Sequence, residues 1–355
     1  MTNTLQTAVV GVTGYAGAEL ARLLLHHPRL KGKTPVFAGR VDAKDIARGG
    51  QPLAEIHPQL VDSRGSGQLI QQPFSWRLLD DLGVEVLFLA TPHEQSREWV
   101  PEALKRGLRV IDLSGAWRLT EAANRAVYAF EDIDSEVAEA TQAEAVYGMP
   151  ELHRKEIKSA RLVANPGCYA TSVILPLKPL VAAGLVDLER GIVADAKSGV
   201  SGAGKAATAK THYMYAADNL SAYGVFTHRH TGELLEQIGL GASEIVFTPH
   251  LLPIPRGILS TIYVHFKEAQ TRASVTRVYR EFFADSPMVR LYEHALPQIQ
   301  YSVKTGYADI GFQLDGDGRR AVIVSCLDNL LKGASSQAVQ NMNVMQGWGE
   351  AEGLE

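Results

Sequence analysis

With 355 residues, 46% of them hydrophobic and 21% charged, the chain is long enough for two cores of ordinary size and has a globular composition. A formal net charge of −4, a pI near 6.3 and no long run of Lys and Arg exclude an electrostatic footprint for nucleic acid and favour a small-molecule enzyme. No basic leader with an apolar core and no stretch of about 18 apolar residues is present, and the two cysteines, Cys168 and Cys326, form neither a disulfide framework nor a zinc-type cluster, so a reducing cytoplasm and no metal are expected.

From Thr7 the sequence TAVVGVTGYAGAELARLLLHHP reads as strand, glycine turn and helix, the opening of a nucleotide-binding βαβ unit. Gly11, Gly14 and Gly17 form GxxGxxG, where bare backbone and unpaired N–H groups at a helix start accept a pyrophosphate. Thr13, Tyr15 and Ala16 lie in the same turn. The second predicted strand, 35–38, is followed by Arg40, which favours a ribose 2′-phosphate and hence NADP, although Asp42 close by keeps NAD open. Further apolar strands are predicted at 84–90 and 109–113, giving an open parallel sheet covered by helices. Arg118 follows the last of these, at the edge where such sheets bind ligands, and suits a phosphate or carboxylate. The acidic, alanine-rich stretch 121–145 is expected on the surface, and this first domain is expected to end near residue 152.

Beyond it, Asn165-Pro166-Gly167-Cys168 precedes an apolar helix predicted over 172–183. That places Cys168 at or near a helix N-terminus, where the dipole favours the nucleophilic thiolate, whereas Cys326 in the apolar run 321–327 reads as a structural core thiol. β-like runs at 192–196, 244–249, 258–266 and 308–314 predict a largely antiparallel sheet. Between them, Ser198 to Lys205 resembles an anion-binding nest, with Ser201, Gly202, Gly204 and Lys205 as candidates for a substrate phosphate and Gly202 also for the cofactor. A nucleophilic cysteine needs a proton acceptor close by; His228 or His230 is preferred to His250, and His26, His27, His57 and His153 are given no role. Arg256, between Pro255 and Gly257, is a carboxylate candidate.

The fold class is therefore α/β: a Rossmann-type dinucleotide-binding domain with a parallel sheet (1–152), an α+β catalytic and substrate-binding domain with a mainly antiparallel sheet (153–327), and a C-terminal helix (328–355) returning to the first domain.

Six blocks in order, GVTGYAGAEL (11–20), NPGCYAT (165–171), SGVSGAGK (198–205), GVFTHRHTGE (224–233), FTPHLLPIPRGI (247–258) and DNLLKGAS (328–335), resemble the N-acetyl-γ-glutamyl-phosphate reductase family. Its wider group includes aspartate-semialdehyde dehydrogenase and, more distantly, glyceraldehyde-3-phosphate dehydrogenase. The resemblance implies NADPH-dependent reduction of an acyl phosphate to an aldehyde in arginine biosynthesis through a cysteine thioester. In this sequence Cys168 matches the family's nucleophile and His228 its acid/base, with His230 and Glu233 beside it; Asn329 belongs to the segment that returns to the cofactor. A homo-oligomer, dimer or tetramer, is implied. The stretch 31–52 is longer and more basic than the family pattern, which weakens Arg40 as the 2′-phosphate contact. The chief alternative is a reductase of lysine biosynthesis acting on an aminoadipyl phosphate, free or on an acidic carrier protein that Lys31, Lys33, Arg40, Lys44 and Arg48 would suit. A non-catalytic NADP-binding sensor is a reading of another class, distinguished by whether Cys168 becomes acylated.

Overall fold

In the computed structural model, which describes residues 5–60 and 69–355, two sheets carry the chain. The first is built from β1 (Thr7–Val10), β2 (Val36–Gly39), β3 (Gln51–Pro52), β4 (Ile70–Pro73), β5 (Val86–Leu89), β6 (Arg109–Asp112), β7 (Ala145–Tyr147) and β8 (Leu162–Ala164). Among the described residues its order is β3-β4-β2-β1-β5-β6-β8-β7, parallel throughout except for the β3–β4 edge pair. The second contains β9 (Ile192–Gly199), β10 (Ser221–Ala222), β11 (Ile245–Leu252), β12 (Ile258–His265), β13 (Val289–Tyr292), β14 (Ala308–Leu314) and β15 (Arg320–Leu327), in the order β10-β11-β9-β12-β15-β14-β13. This sheet is mixed: the β9–β11 and β13–β14 pairs are parallel and the other four antiparallel.

The residue patterns explain the two architectures. β1 and β5 are four-residue strands, apolar apart from Thr7 and buried on both faces, as central parallel strands require. Val9, Val86 and Phe88 point to one side, against Leu20 and Leu24 of α1 (Tyr15–His26). Ala8, Val10, Leu87 and Leu89 point to the other, against Val100, Ala103 and Leu104 of α2 (His93–Lys105). β12 instead alternates, with Ile258, Ser260, Ile262 and Val264 buried. One face of the second sheet packs on Val173, Ile174 and Leu177 of α4 (Cys168–Ala182), while Val193, Val246 and Tyr263 on the opposite face are exposed.

β8 pairs with β6 and β7 after the chain has passed through α3 (Pro150–Ser159), so the first sheet closes at Ala164, beyond the residue 152 expected from sequence. The final segment re-enters this domain: a π-turn at Leu331–Ser335 and α7 (Ser336–Gln346) bury Leu331, Val339, Met342 and Met345 against α1 and the sheet. (The two longest intervening helices among the described residues are α5, Thr231–Ile238, and α6, Arg272–Phe282.) Lys332 within that turn is fully buried; its Nζ donates to Glu151 Oε1 at 2.7 Å and Gln340 Oε1 at 2.6 Å. Burial would push the Glu151 carboxyl up, but Lys332 holds it below its ordinary range.

Candidate active site

The glycine turn meets the structural demands of its sequence. Gly11 has φ +94° and a Cβ there would sit 2.3 Å from the Ala90 carbonyl oxygen; at Gly17 it would sit 2.2 Å from the Gly11 oxygen. Gly14, the residue before α1, caps no N–H with a side chain, and a Cβ on it would meet nothing nearer than 3.7 Å. The turn thus presents bare backbone and the positive end of a helix to a cleft, which fits a dinucleotide pyrophosphate. His57, given no role by the sequence, is buried beneath it with Nε2 2.8 Å from the Val12 carbonyl oxygen, and Lys205 Nζ donates to the Thr13 oxygen at 3.2 Å. Arg40 is exposed just beyond β2.

Cys168 opens α4 itself, four residues earlier than the predicted helix start. The approach is pinned from several sides. Asn165 donates from Nδ2 to the Ala334 oxygen at 3.0 Å and accepts on Oδ1 from Asn341. Its carbonyl accepts from Arg118 Nε at 2.7 Å, and the Gly167 N–H donates to Glu233 Oε2 at 2.9 Å. A Cβ on Gly333 of the π-turn would lie 2.7 Å from the Cys168 Cβ, so the returning segment packs directly on the cysteine. Such π-turns recur at functional sites.

Half-buried Cys168 stands where two cavities meet. One, of about 350 Å³, is also lined by Gly14, Tyr15, Ala16, Gly17, Ser201, Lys205 and Asn329. The other, of about 310 Å³, is lined by Tyr169, Ser198, Lys210, Tyr223 and His228. Gly202, Arg229 and His230 border both. A glycine at 167 is required because His230 Nε2 lies 2.4 Å from where its Cβ would be.

Several predicted roles change. Glu233, expected at the substrate, is fully buried and lines neither cavity; its carboxylate accepts from the Tyr147 hydroxyl at 2.7 Å, Gly167 N–H and Arg118 Nη1 at 3.2 Å, and so holds the cysteine loop. Arg118 borders the first cavity, but Glu233 and the Asn165 and Leu113 carbonyls occupy its guanidinium. Burial opposes its charge, and Glu233 nonetheless raises its pKa further. Arg256 borders neither cavity: Nη1 donates to Glu19 at 2.5 Å and Nη2 to Asp328 at 3.0 Å, which leaves no free fork for a carboxylate. Asn329 is tied by Nδ2 to Ser201 Oγ at 2.9 Å and by Oδ1 to the Gly257 N–H at 2.7 Å. His250 lies 3.0 Å from Asp195 and borders neither cavity. Arg48, one of the bases suggested for an acidic carrier, is paired with Asp45 and Glu55. The stretch 121–145 is not wholly superficial, since Tyr128 borders the first cavity and stacks on Phe130. Nothing in its sequence context marked Tyr128; Arg229 was also missed, although it stands between the two chosen histidines.

The electrostatics differ from the expected thiolate. Burial pushes the Cys168 thiol up to about 11, outweighing the Tyr169 N–H and Arg118, which lower it. Burial, reinforced by Arg229, brings His228 down to about 4. Burial, with His228 next, takes His230 well below the ordinary imidazole value. The free site therefore pairs a thiol with neutral imidazoles at neutral pH. Because alkylation follows the thiolate, iodoacetamide modification of Cys168 should rise about tenfold per pH unit from pH 7 to 10. A rate already level by pH 7, followed by mass spectrometry of the Cys168 peptide, would contradict this.

The fold and this thiol between a glycine-turn cleft and a second cavity define an oxidoreductase of the semialdehyde dehydrogenase type. Residues 6–160 match the family described as semialdehyde dehydrogenase, NAD binding domain, and residues 168–329 the semialdehyde dehydrogenase, dimerisation domain. Crystal structures of aspartate semialdehyde dehydrogenase II from Vibrio cholerae (TM-score 0.70, 17% identity, 97% of this chain and 99% of that one) and of the Candida albicans enzyme with NADP (0.69, 15%, 96% and 98%) share the fold. More specifically, the chain is 41% identical to N-acetyl-gamma-glutamyl-phosphate reductase of Methanococcus maripaludis, over 98% of this chain and 97% of the relative. It is 40% identical to that of Dehalococcoides mccartyi (99% and 97%) and 38% to that of Methanocaldococcus jannaschii (98% and 97%). The chain belongs to the N-acetyl-γ-glutamyl-phosphate reductase family.

Proposed function

We propose that the protein reduces N-acetyl-γ-glutamyl phosphate to N-acetylglutamate semialdehyde with release of phosphate, through a thioester on Cys168, using NADPH. The observation that carries this reading is Cys168 at the junction of the glycine-turn cleft and a second cavity rich in hydroxyls and imidazoles. A cofactor in the first cavity and an acyl group in the second would both reach that sulfur. The names of the relatives support the substrate. NADPH is supported by exposed Arg40 at the end of β2 and by the NADP complex of the Candida enzyme.

In the proposed cycle the Cys168 sulfur bonds to the acyl carbon, the carbon–oxygen bond to phosphate breaks, and phosphate departs. NADPH supplies the hydride that converts the thioester to a hemithioacetal. His228 accepts the His230 backbone N–H on Nδ1 at 3.1 Å, so its neutral ring carries the proton on Nε2, where it is available to the developing oxyanion. His230, which borders both cavities with Cys168, receives the thiol proton in concert with attack of the sulfur on the acyl carbon. As the carbon–sulfur bond breaks, the oxygen loses its proton, the aldehyde leaves and the thiol is restored. A homodimer through the open face of the second sheet is supported by exposed Val193, Val246 and Tyr263 and by the dimerisation-domain match.

The test is NADP- and phosphate-dependent oxidation of N-acetylglutamate semialdehyde beside its one-carbon-longer homologue. One methylene is worth about 10- to 200-fold in kcat/KM, and the shorter aldehyde should be preferred within that range. Preference for the longer compound would transfer the enzyme to aminoadipyl chemistry.

A further inference from the structure

Release of phosphate beside Cys168 needs a cation that is not already neutralised. Of the arginines near the site, Arg118 is paired with Glu233, and Arg256 with Glu19 and Asp328. Lys205 is turned to the Thr13 carbonyl of the glycine turn, on the dinucleotide side, and exposed Lys210 borders the second cavity but not the first. Arg229 differs. It borders both cavities with Cys168, is exposed, and has no carboxylate within ion-pair distance among the described residues. Its side chain is held by neutral groups: Nη1 is 3.2 Å from His93 Nε2, and the guanidinium lies 5.6 Å from the Tyr128 ring centroid. His228 and His230 flank it in sequence. A guanidinium placed among imidazoles and a phenol, with no acid, has its charge and most of its donors available to an incoming anion.

We propose that Arg229 is the residue that binds the phosphoryl group of the acyl phosphate and stabilises phosphate as it leaves. The inference rests on the reductase reading and adds a group that neither the sequence motifs nor the resemblance assigned. Guanidinium presents a planar fork that meets two phosphate oxygens at once, and Arg229 borders both cavities that meet at Cys168. Glu233 complements this arrangement. By occupying Arg118 it keeps that arginine as a fixed support of the cysteine loop and leaves recognition to Arg229.

The reverse reaction reads this directly, because inorganic phosphate is then a substrate whose KM can be measured apart from the aldehyde's. Arg229→Gln removes one charge-assisted contact and should raise the phosphate KM at least about tenfold. Arg229→Lys should recover part of the loss, as a point charge replacing a fork. NADP binding and the pH profile of Cys168 alkylation serve as folding controls and should stay near wild type. A phosphate KM unchanged in Arg229→Gln would overturn the assignment. So would a rise confined to the aldehyde KM, which would put the cation on the substrate carboxylate. Wild-type enzyme that turns over neither aldehyde would instead defeat the reductase reading, and this inference with it.

Discussion

Cys168→Ala and Cys168→Ser should lower reductase turnover by at least about 10³-fold, the scale seen when a covalent nucleophile is removed. Both variants should still bind reduced dinucleotide, because the glycine turn, His57 and Lys205 make their contacts independently of the sulfur. Alanine keeps the Cβ that packs on Gly333, so the loop geometry survives. Serine tests the chemistry more sharply, since an alcohol forms an ester that is a poorer hydride acceptor than a thioester. Rapid-quench mass spectrometry of wild type with acyl phosphate and no dinucleotide should find the acyl mass on the Cys168 peptide. Substantial residual turnover in Cys168→Ala would overturn the thioester route, whereas a wild type that binds dinucleotide but shows neither turnover nor an acyl adduct would leave only the sensor reading.

Lys332→Met should be strongly destabilising, costing about 3–5 kcal/mol, because it leaves the Glu151 carboxylate uncompensated in a dry interior. Denaturant midpoints would register it, and turnover should fall as well, since the same π-turn seats Gly333 against Cys168. Replacing both partners, Lys332→Met with Glu151→Met, should restore most of the stability, because an apolar pair carries no desolvation cost. If the double variant is no more stable than the single one, the pair contributes through something other than charge compensation.

Much of the fold could be read from local pattern. β1 and β5 are buried runs with a nearly continuous apolar signature, β6 carries a shorter one at Val110 and Ile111, and the glycine turn follows the first of them directly. β3, β4, β7, β8, β10 and β13 have no such signature because they are short or polar, as in Ile70–Pro73, and take their form from neighbours already in the sheet. β15 lay in plain view, but its apolar run was read only as a burial place for Cys326. At the site, Cys168 and the glycines announce themselves because their local backbone requirements are severe. Arg118, Glu233 and Arg256 could not be sorted this way. Their partners lie far along the chain, Glu233 115 positions beyond Arg118 and Asp328 72 positions beyond Arg256, so nothing local shows which charges are already spoken for. The thiolate expected at Cys168 is opposed for a related reason: the helix start is visible in sequence and is found, whereas the burial that pushes the thiol up is a property of the assembled cleft.

The re-entry of residues 331–346 into the first domain also sets an order of assembly. One side of the amino-terminal sheet is completed by side chains made after the entire second domain, so on the ribosome that sheet must wait with Leu20, Leu24 and Phe88 incompletely covered. Long-range closure of this kind slows folding and leaves apolar surface open to aggregation in the interval. Nascent chains released before this segment should therefore depend on chaperones and lack a finished cysteine pocket.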